Sequence, residues 1–588
     1  MCGIAGLMTR DGMAPDSATL DRLADLLGHR GPDGEGKHLA GGVGMAQTRL
    51  AIIDLETGDQ PLYEPGGAAL VANAEIYNYI ELRQEMRSVN FATNSDCEPP
   101  LHLYRRDGLG FAKSLRGMYA IAIHDPIDGR LVLSRDPFGI KPLYYVETPN
   151  LFAFASEPQA LIGAGIVEAE IRPERRDELL QLQFTCGRQT IFRGINRVLP
   201  GETLIVRGGR IVDRQHLPAL PEDGEQPVEE SLEAALQRLD AALENSVQVH
   251  QRSDVPYGLF LSGGVDSSAV LALMARLNDR PVRAFTVGFS DTTVHDERAH
   301  ARALAEAVGA EHIEVEFGED DFWSLLPEIA ASMDDPAADY AILPTWKLAR
   351  EAAHEFKVVL SGEGGDELFG GYGRYRSLLR PWWKGGRTIR SRGIFDGLRV
   401  LRRESSGWRD GVDTAQATAT TLARSNLQAA QATDCADWLP NDLLIKLDRC
   451  LMAHSLEGRT PFLDPSVAEF AFRLPDEMKI TNGRGKWLLR KWLAGVMPAA
   501  RPFERKRGFT VPVAEWIWRR GKELGPLVAS NPAIEEICHP NRVRQIFTAG
   551  GKRAGFAAWA LLFYAVWHRR HIEGVQSDGG VFDLLRAG

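Results

Sequence analysis

The sequence predicts two domains of different fold class: an α+β domain built on antiparallel sheet, then an α/β domain built on a parallel sheet with a helical C-terminal part. The 588 residues are more than one hydrophobic core usually organises. Short β-type segments fill about the first 210 residues, and strand-like and helix-like segments alternate from about residue 231 onward. We place the first domain at residues 2–214, a linker at 215–230, the second domain at 231–575 and a tail at 576–588.

In the first domain, runs of apolar and β-branched residues are separated by turn residues. They predict strands at 70–72, 118–124, 131–133 and 143–146, and a hairpin at 201–212 that turns at Gly208-Gly209. Residues 217–229 hold three prolines and several acidic side chains, a composition typical of a linker.

The second domain opens with a predicted helix whose apolar residues recur at helical spacing: Leu232, Leu236, Leu239, Leu243 and Val247. Strands are predicted at 258–261, 283–289 and 357–360, with a helix from Ser268. From about residue 372 the pattern is mainly helical. The apolar segment 559–566 is shorter than the roughly 18 residues a membrane span requires, so we predict a buried helix there.

Composition argues against several classes of function. The net charge of -11 makes a nucleic-acid or membrane-surface partner unexpected. The first residues lack the basic and apolar regions of a signal peptide, so the cytoplasm is the expected compartment. Six cysteines without a Cys-x-x-Cys pair predict neither a zinc site nor a disulfide framework. The stretch 384–409 carries eight Lys and Arg residues, for which we favour a solvated helix face over RNA contact.

Cys2 is a potential nucleophile because of its position. Removal of Met1 would give it a free α-amine, whose pKa near ~8 lets it act as a base at neutral pH. The thiolate is the reactive form of cysteine, and the amine can take the thiol proton directly or through water. A cysteine at position 2 is weak evidence alone, and chance is the simpler explanation until its neighbours are considered.

Those neighbours form an ordered series of motifs: Cys2-Gly3-Ile4-Ala5-Gly6, His29-Arg30-Gly31-Pro32-Asp33, Arg49-Leu50-Ala51-Ile52-Ile53-Asp54, Asn73-Ala74-Glu75-Ile76-Tyr77-Asn78, Ser95-Asp96-Cys97-Glu98, Arg135-Asp136-Pro137-Phe138-Gly139-Ile140-Lys141-Pro142-Leu143-Tyr144 and Phe154-Ala155-Ser156-Glu157. The series resembles the N-terminal-nucleophile glutamine amidotransferase domain of asparagine synthetases and spans nearly all of residues 2–200. The resemblance implies an antiparallel β-sandwich with helices, in which Cys2 hydrolyses glutamine.

The resemblance also implies where glutamine would bind. Arg49 would take its carboxylate, and Glu75 and Asp96 its ammonium, as opposite charges require. The backbone beside Arg49 would help to hold the substrate, through Leu50, Ala51, Ile52 and Ile53.

Attack by Cys2 creates an oxyanion, which the resemblance assigns to the Asn73 side chain and the backbone N–H of Ala74. The family usually has glycine at position 74. If the site required a positive φ, alanine would strain it. Pro99-Pro100 and Gln159 are further departures from the family pattern.

A second potential site lies in Leu261-Ser262-Gly263-Gly264-Val265-Asp266-Ser267-Ser268, between a predicted strand and helix. Small residues let backbone approach phosphate, and a helix N-terminus offers N–H donors. The segment is not a Walker A sequence, and it resembles the pyrophosphate loop of ATP pyrophosphatases. The resemblance implies ATP contacts for these residues: Leu261, Ser262, Gly263, Gly264, Asp266, Ser267, Ser268, Val287, Ser361 and Gly362.

The segment 361–372 contains five glycines and three acidic residues on one predicted loop. Clustered carboxylates repel one another unless a cation is present, and Mg²⁺ prefers oxygen ligands. By resemblance, Asp266 and Asp366 would hold Mg²⁺ with the pyrophosphate, and Glu363 would lie near the acyl-adenylate and the incoming ammonia. An ordinary solvated turn is the alternative.

Two further blocks, 446–464 and 505–512, also resemble asparagine synthetases. They make Arg459 and Lys506 candidates to neutralise charge as a carboxylate attacks the α-phosphate. Without the resemblance, Lys506 would be taken for a surface residue.

Together these motifs predict an ATP-consuming, glutamine-dependent amidation of aspartate in a parallel-sheet ATP-pyrophosphatase domain, with glutamine, aspartate and ATP as its small-molecule partners. The family resemblance implies a channel for ammonia between the domains, and a homodimer is a further expectation. One alternative is a related amidotransferase for another carboxylate, such as a peptide or a sugar acid. A second is a non-catalytic nucleotide-binding paralogue, against which Cys2, Asp266, Glu363, Asp366 and Lys506 count.

Overall fold

The computed structural model describes residues 2–222, 230–292, 294, 296–380, 383, 389–403, 406–421, 425–504, 511–576 and 579–587. Two six-stranded antiparallel sheets form the N-terminal part, and a five-stranded parallel sheet forms the centre of the second part. The predicted order of an antiparallel domain before a parallel one is confirmed.

The N-terminal strands are β1 (Gly3–Thr9), β2 (Gly34–Ala40), β3 (Val43–Arg49), β4 (Leu62–Tyr63), β5 (Ala69–Ile76), β6 (Gly117–Asp125), β7 (Arg130–Arg135), β8 (Tyr144–Glu147), β9 (Leu151–Ala155), β10 (Asn196–Arg197), β11 (Glu202–Arg207) and β12 (Arg210–His216). One sheet has the order β10-β8-β9-β1-β3-β2 and the other β12-β11-β7-β6-β5-β4. The helices are α1 (Ser17–Asp25), α2 (Tyr79–Glu85), α3 (Glu98–Asp107), α4 (Pro158–Gly163) and α5 (Pro173–Leu182).

The two antiparallel sheets pack face to face as a sandwich. Ile4, Met45 and Phe154 from one sheet share a buried cluster with Val71 and Leu133 from the other. Side chains alternate across a strand, so one face of each sheet supplies this core. The predicted β-sandwich is confirmed, as are the strands and the hairpin at Gly208-Gly209.

The parallel sheet has the order β15-β14-β13-β16-β17. Its strands are β13 (Tyr257–Phe260), β14 (Arg283–Phe289), β15 (Glu311–Phe317), β16 (Val358–Leu360) and β17 (Glu457–Arg459). The three predicted strands are the three central ones. The sequence analysis missed the two edges because β15 is largely polar and partly exposed, and β17 has only three residues.

Helices cover this sheet and form the C-terminal region: α6 (Leu232–His250), α7 (Val265–Leu277), α8 (Arg298–Ala307), α9 (Glu319–Ser332), α10 (Ile342–Ala352), α11 (Gly365–Leu368), α12 (Gly373–Leu378), α13 (Asp410–Thr420), α14 (Asn426–Thr433), α15 (Leu444–Met452), α16 (Pro465–Arg473), α17 (Asp476–Lys479), α18 (Trp487–Val496), α19 (Val513–Arg519), α20 (Gly521–Ala529), α21 (Pro532–Ile537), α22 (Pro540–Ile546), α23 (Lys552–His571) and α24 (Val581–Arg586). A π-helical segment, Asp434–Leu443, leads directly into α15.

The segment 559–566 lies in α23, whose side chains there are buried, so the predicted buried helix is confirmed. Among the described residues, none of the helices is both long and apolar enough to cross a membrane. The predicted tail includes α24, where Val581 and Leu584 are buried and Phe582 contacts Trp323 of α9. Part of the tail therefore belongs to the folded domain.

The structure differs from the sequence-based expectations in two connecting segments, the predicted linker and the basic stretch. β12 continues to His216, two residues into the predicted linker, and the linker residues 223–229 lie outside the described residues. In the basic stretch, the described residues 389–403 are not helical, so a solvated helix face is wrong for them. The Arg390 guanidinium instead lies 4.7 Å from the centre of the Trp438 ring.

Candidate active sites

Cys2 lies where β1 enters the sandwich between β3 and β9, and it is buried. Its backbone nitrogen donates to Oδ1 of Asn73 at 3.1 Å. The other amide atom of Asn73, Nδ2, is buried without a hydrogen-bond partner among the described residues. A buried donor is costly to leave unpaired, so this atom favours an acceptor bound beside Cys2.

Burial opposes ionisation of the Cys2 thiol. Burial raises its pKa, while a hydrogen bond from the backbone of Leu50 and the charge of Arg49 act in the opposite direction. Arg30 Nε donates to the Cys2 carbonyl at 3.2 Å and fixes the backbone beside the thiol. The thiol therefore needs a base to become reactive.

Ala74 lies within β5, where it pairs with Tyr119 of β6. Its backbone is extended, so the strain expected for a left-handed alanine does not arise. Pro99 and Pro100 fall in the first turn of α3, where the missing N–H of proline costs no helical hydrogen bond. Gln159 Nε2 lies 2.7 Å from His571 Nδ1, so its side chain is directed towards α23.

The two carboxyls predicted to bind an ammonium are both buried near Cys2. Burial raises the pKa of Asp96 to about 6, although its Oδ2 accepts from the Ile76 N–H at 2.7 Å. Burial also raises the pKa of Glu75 well above its usual range, and the carboxylates of Glu457 and Asp96 act in the same direction. A cation bound beside these two carboxyls would therefore stabilise their ionised forms.

Arg49 extends from the end of β3 and is nearly buried. Its Nη1 lies 2.7 Å from Asp59 Oδ1, and its Nη2 donates to the carbonyls of Ile53 and Asp54. The following residues, 50–53, are buried and run alongside Cys2, whose thiol contacts the backbone of Leu50. The structure thus brings the predicted glutamine-binding residues together around Cys2.

The predicted role of Arg459 requires its side chain to reach the nucleotide, but the side chain points elsewhere, although the Arg459 carbonyl accepts from the Ser361 N–H at 2.8 Å. Its Nη2 is 2.9 Å from Glu75 Oε2, its Nε donates to Glu457 Oε1 at 2.6 Å, and its Nη1 donates to the His250 carbonyl at 2.9 Å. The residue ends β17, and its fully buried side chain is directed towards the N-terminal domain. The structure instead places this guanidinium at Glu75, one of the two carboxyls predicted to bind an ammonium.

The predicted nucleotide loop joins β13 to α7. Gly263 has φ +67, a conformation that glycine adopts without strain. Ser262 Oγ and Ser267 Oγ are 3.1 Å apart, and Ser268 Oγ donates to the Gly264 carbonyl at 2.7 Å. Because α7 begins at Val265, Asp266 lies in its first turn rather than before the helix. The loop therefore presents a helix N-terminus, as an anion site requires.

The glycine-rich loop after β16 packs directly on this helix start. A Cβ on Gly362 would lie 2.8 Å from the Ser267 nitrogen, and one on Gly365 would lie 2.5 Å from Asp266 Oδ1. The Ser361 hydroxyl is buried without a hydrogen-bond partner among the described residues. Val287 in the neighbouring β14 is buried, one residue beyond Thr286, whose hydroxyl donates to the Leu261 carbonyl at 2.6 Å. The predicted ATP residues are brought together.

Lys486 is a residue of this site that the sequence analysis missed. Its buried Nζ contacts Asp266 Oδ2 and lies 2.5 Å from Asp366 Oδ1. It precedes α18 with φ 57, so its backbone takes a left-handed conformation that aims the side chain at the two acids. In sequence it follows Gly483-Arg484-Gly485, and a lysine beside glycines was the only available signal.

Asp266 and Asp366 also fit the expectation for Mg²⁺. Two carboxylates converge on one position that already accommodates a cationic group, and Mg²⁺ commonly binds one or two carboxylates plus phosphate oxygens. In the described parts of the chain, no group of three or more His, Cys, Asp or Glu side chains is placed to hold a metal. An ion here would therefore depend on the nucleotide for its remaining ligands.

Glu363 lies on the same loop but points to a different cation. Lys446 Nζ in α15 is 3.7 Å from Glu363 Oε1 and 3.1 Å from Asp339 Oδ2. One helical turn before Lys446, Asp442 is buried, with Oδ1 unpaired among the described residues. Burial and the charge of Asp339 raise the pKa of Asp442 to about 7. Three acids thus surround a single lysine. Lys506 lies outside the described residues.

The two domains are joined by buried ion pairs. Arg30, whose Nε fixes the Cys2 carbonyl, donates to both carboxylate oxygens of Asp448 at 2.8 and 2.9 Å. Arg197 and Asp335 form a second pair of this kind, at 2.6 and 2.8 Å. The pairs connect the sandwich to the α/β domain across more than 100 residues of sequence.

Comparison with known families agrees with this division. Residues 1–217 match the family described as "Glutamine amidotransferase domain", and residues 238–569 match "Asparagine synthase". The chain is therefore a two-domain glutamine amidotransferase in class.

Within that class the chain belongs to the asparagine synthase family. It is 32% identical to "Asparagine synthetase [glutamine-hydrolyzing] 1" of Bacillus subtilis (strain 168), with 97% of each chain covered. It is 30% identical to "Asparagine synthetase [glutamine-hydrolyzing] 2" of the same organism, over 84% of this chain and 69% of the relative. "Amidase chyE" of Penicillium rubens is 31% identical over 64% and 60%.

Proposed function

We propose that this protein transfers the amide nitrogen of glutamine to aspartate at the expense of ATP. Cys2 would hydrolyse glutamine, and the second domain would convert aspartate to β-aspartyl-AMP with release of pyrophosphate. Ammonia would then displace AMP and yield asparagine. The family supports glutamine-dependent synthesis of asparagine, and the two sites on one chain support a division of the reaction between them.

The observation that carries the glutaminase half is the unpaired Nδ2 of Asn73 beside Cys2. In the mature chain the Cys2 nitrogen would be an α-amine, which can accept the thiol proton. The thiolate would attack the side-chain amide carbon, and Asn73 Nδ2 would donate to the developing oxyanion. One such donor contributes about 3 kcal/mol to transition-state stabilisation in comparable sites. The backbone N–H of Ala74 is the second proposed donor.

Glutamine would be oriented by its two charges. Arg49 would bind the carboxylate with help from the backbone of residues 50–53, and Glu75 and Asp96 would bind the ammonium. Arg459 supports this role for Glu75, because its guanidinium partly offsets the burial that raises the pKa of Glu75. Arg459 thus comes from the second domain to serve the first.

In the second domain, the loop 261–268 and the residues Ser361 and Gly362 would bind ATP. Mg²⁺ held by Asp266 and Asp366 would supply charge neutralisation for the pyrophosphate when bound. Lys486 would add a fixed positive charge at the same carboxylates, where negative charge develops as pyrophosphate leaves. Lys506 remains a proposed contributor on sequence grounds.

The surroundings of Glu363 support an amino acid as the acceptor. Asp339, Glu363 and Asp442 are three carboxyls around the single cation of Lys446, and a substrate ammonium would stabilise their ionised forms. Aspartate has such a group, whereas a sugar acid does not. A related amidotransferase for another carboxylate, such as a peptide, is the second candidate, because "Amidase chyE" is among the relatives.

The acceptor can be tested with purified protein given ATP, Mg²⁺ and glutamine, with and without aspartate. We expect pyrophosphate and AMP to form in equal amounts only when aspartate is present, together with asparagine and glutamate. Glutamate release without aspartate-dependent pyrophosphate would reject aspartate and favour the second candidate. No turnover of either glutamine or ATP would reject both.

A further inference from the structure

The residues that surround the glutamine site do not all come from the N-terminal domain. The segment 50–54 is also contacted by two short connections of the second domain. Asp254 lies in the connection that leads into β13, and Lys357 immediately precedes β16. β13 and β16 are neighbours in the parallel sheet, with Tyr257 paired to Val358.

Asp254 holds the end of the segment through two hydrogen bonds. Its backbone nitrogen donates to the Ile52 carbonyl at 3.0 Å, and its Oδ2 accepts from the Asp54 nitrogen at 2.7 Å. Asp54 has φ 54, a left-handed conformation that non-glycine residues keep only when their surroundings hold them there. The carbonyl of this residue accepts from Arg49 Nη2. Asp54 is therefore the single residue that links Asp254 to the Arg49 guanidinium by hydrogen bonds.

Lys357 holds the middle of the segment through an intermediary. Its Nζ donates to Asp33 Oδ2 at 2.7 Å, and the same oxygen accepts from the Ala51 nitrogen at 2.8 Å. Nζ also lies 3.5 Å from the Ala51 carbonyl. The peptide groups on both sides of Ala51 are thus oriented by one lysine and one carboxylate.

We propose that Asp254 and Lys357 are positioning residues for glutamine, and that the second domain completes the glutamine site through them. Asp254 holds Asp54 through the backbone N–H of that residue, whose carbonyl accepts from Arg49. Lys357 holds the backbone of Ala51 through Asp33. This inference rests on the proposed function, because it assumes that Arg49 and residues 50–53 bind glutamine.

Asp254 and Lys357 each lie just before a strand that leads to a nucleotide loop. β13 runs from the Asp254 connection to the nucleotide loop at Leu261, and β16 runs from Lys357 to Ser361 and Glu363. The same two strands therefore hold the glutamine segment at one end and the nucleotide loops at the other. Because these paired strands are only three and four residues long, a displacement at one end would shift the residues at the other end.

The test compares Asp254→Ala and Lys357→Met with the parent protein. Each variant should raise the KM for glutamine about fivefold, because it removes a contact that positions the segment. The increase is modest because both contacts are partly exposed. The turnover at saturating glutamine and the ammonia-dependent rate should stay within about twofold, because neither residue touches the reacting atoms. Asp254→Asn should restore the KM, since its amide oxygen can still accept from the Asp54 nitrogen.

Glu536→Ala is the matched control. Glu536 also accepts across the domains, from Arg176 Nη1 at 3.0 Å, but away from the glutamine segment. Its KM should equal that of the parent. The inference is overturned if Asp254→Ala and Lys357→Met leave KM unchanged, or if glutamine-dependent and ammonia-dependent rates fall together. Failure of the proposed function would look different, because the parent protein itself would then not hydrolyse glutamine.

Discussion

The thiol of Cys2 and the carboxyls of Glu75 and Asp96 are buried within one site, and burial raises the pKa of all three. Each group thus resists ionisation until a compensating charge arrives. In the proposed function, a bound glutamine would bring an ammonium to the acids and a carboxylate to Arg49. The substrate would complete the electrostatics of its own site, which favours binding of a zwitterion over a neutral amide.

The raised pKa of Asp96 predicts a pH dependence. A carboxyl with a pKa of about 6 is charged above that pH and protonated below it, so affinity for an ammonium is lost as pH falls through 6. We expect the KM for glutamine to rise between pH 7 and about 5, while ammonia-dependent synthesis, compared at equal concentrations of unprotonated NH3, lacks this dependence. Steady-state kinetics across this range provide the measurement.

Asp96→Asn separates this carboxyl from other titrating groups. The variant should have a high KM for glutamine at every pH, because an amide cannot replace the charge. Its KM should rise less on acidification, because Glu75 would be the only carboxyl of the pair that still titrates. A variant that kept the same rise would show that another group is responsible.

At the residue scale, the sequence predicted which side chains gather at Cys2 better than it predicted their partners. Ala74 raised a question of strain that only the register of β5 against β6 could answer. Arg459 was expected at the nucleotide, because sequence shows that it ends a short segment but not which way its side chain points. Lys486 was not predicted from the sequence, because its contact with Asp266 and Asp366 depends on the left-handed backbone conformation at this residue.

At the scale of elements, both sites lie at the ends of strands. The C-terminal ends of parallel strands lie at the same edge of the sheet, and the loops after β13 and β16 meet at that edge. The sequence predicted these two strands because their flanking glycines and apolar residues are local signals. It did not predict β15 and β17, since the polar or very short edge strands are defined by pairing to neighbours rather than by composition.

The close contact of the two loops predicts the effect of a single methyl group. In Gly362→Ala the new Cβ would lie within 3 Å of the Ser267 nitrogen and the Asp266 Cβ, so one loop must move. We expect ATP-dependent synthesis to fall at least about tenfold, since the displaced groups would bind phosphate and metal. Glutaminase activity should change little.

Gly495→Ala is the control for this substitution. Gly495 lies in α18 of the same domain, and an added Cβ there meets nothing within 4 Å. This variant should keep full synthetase activity. Equal losses in the two variants would indicate general destabilisation and would contradict the role given to the Gly362 contact.

At the scale of the whole molecule, charged side chains buried between the domains fix their relative position. Arg30–Asp448 and Arg197–Asp335 are fully or nearly buried. Breaking one partner of such a pair typically costs about 3–5 kcal/mol, so the pairs impose one docking geometry more than they add stability. No local sequence pattern predicts these pairs, because their members are far apart in the chain and belong to different domains.

That docking matters only if nitrogen passes from one domain to the other, which is the central claim. The most direct measurement follows isotopically labelled amide nitrogen from glutamine into asparagine, in the parent protein and in Cys2→Ala, with and without added unlabelled ammonia. We predict labelled asparagine from the parent. Cys2→Ala should give none from glutamine alone, and unlabelled asparagine once ammonia is supplied. Labelled asparagine from Cys2→Ala would contradict the account, as would a parent protein that hydrolyses glutamine without passing its nitrogen to aspartate.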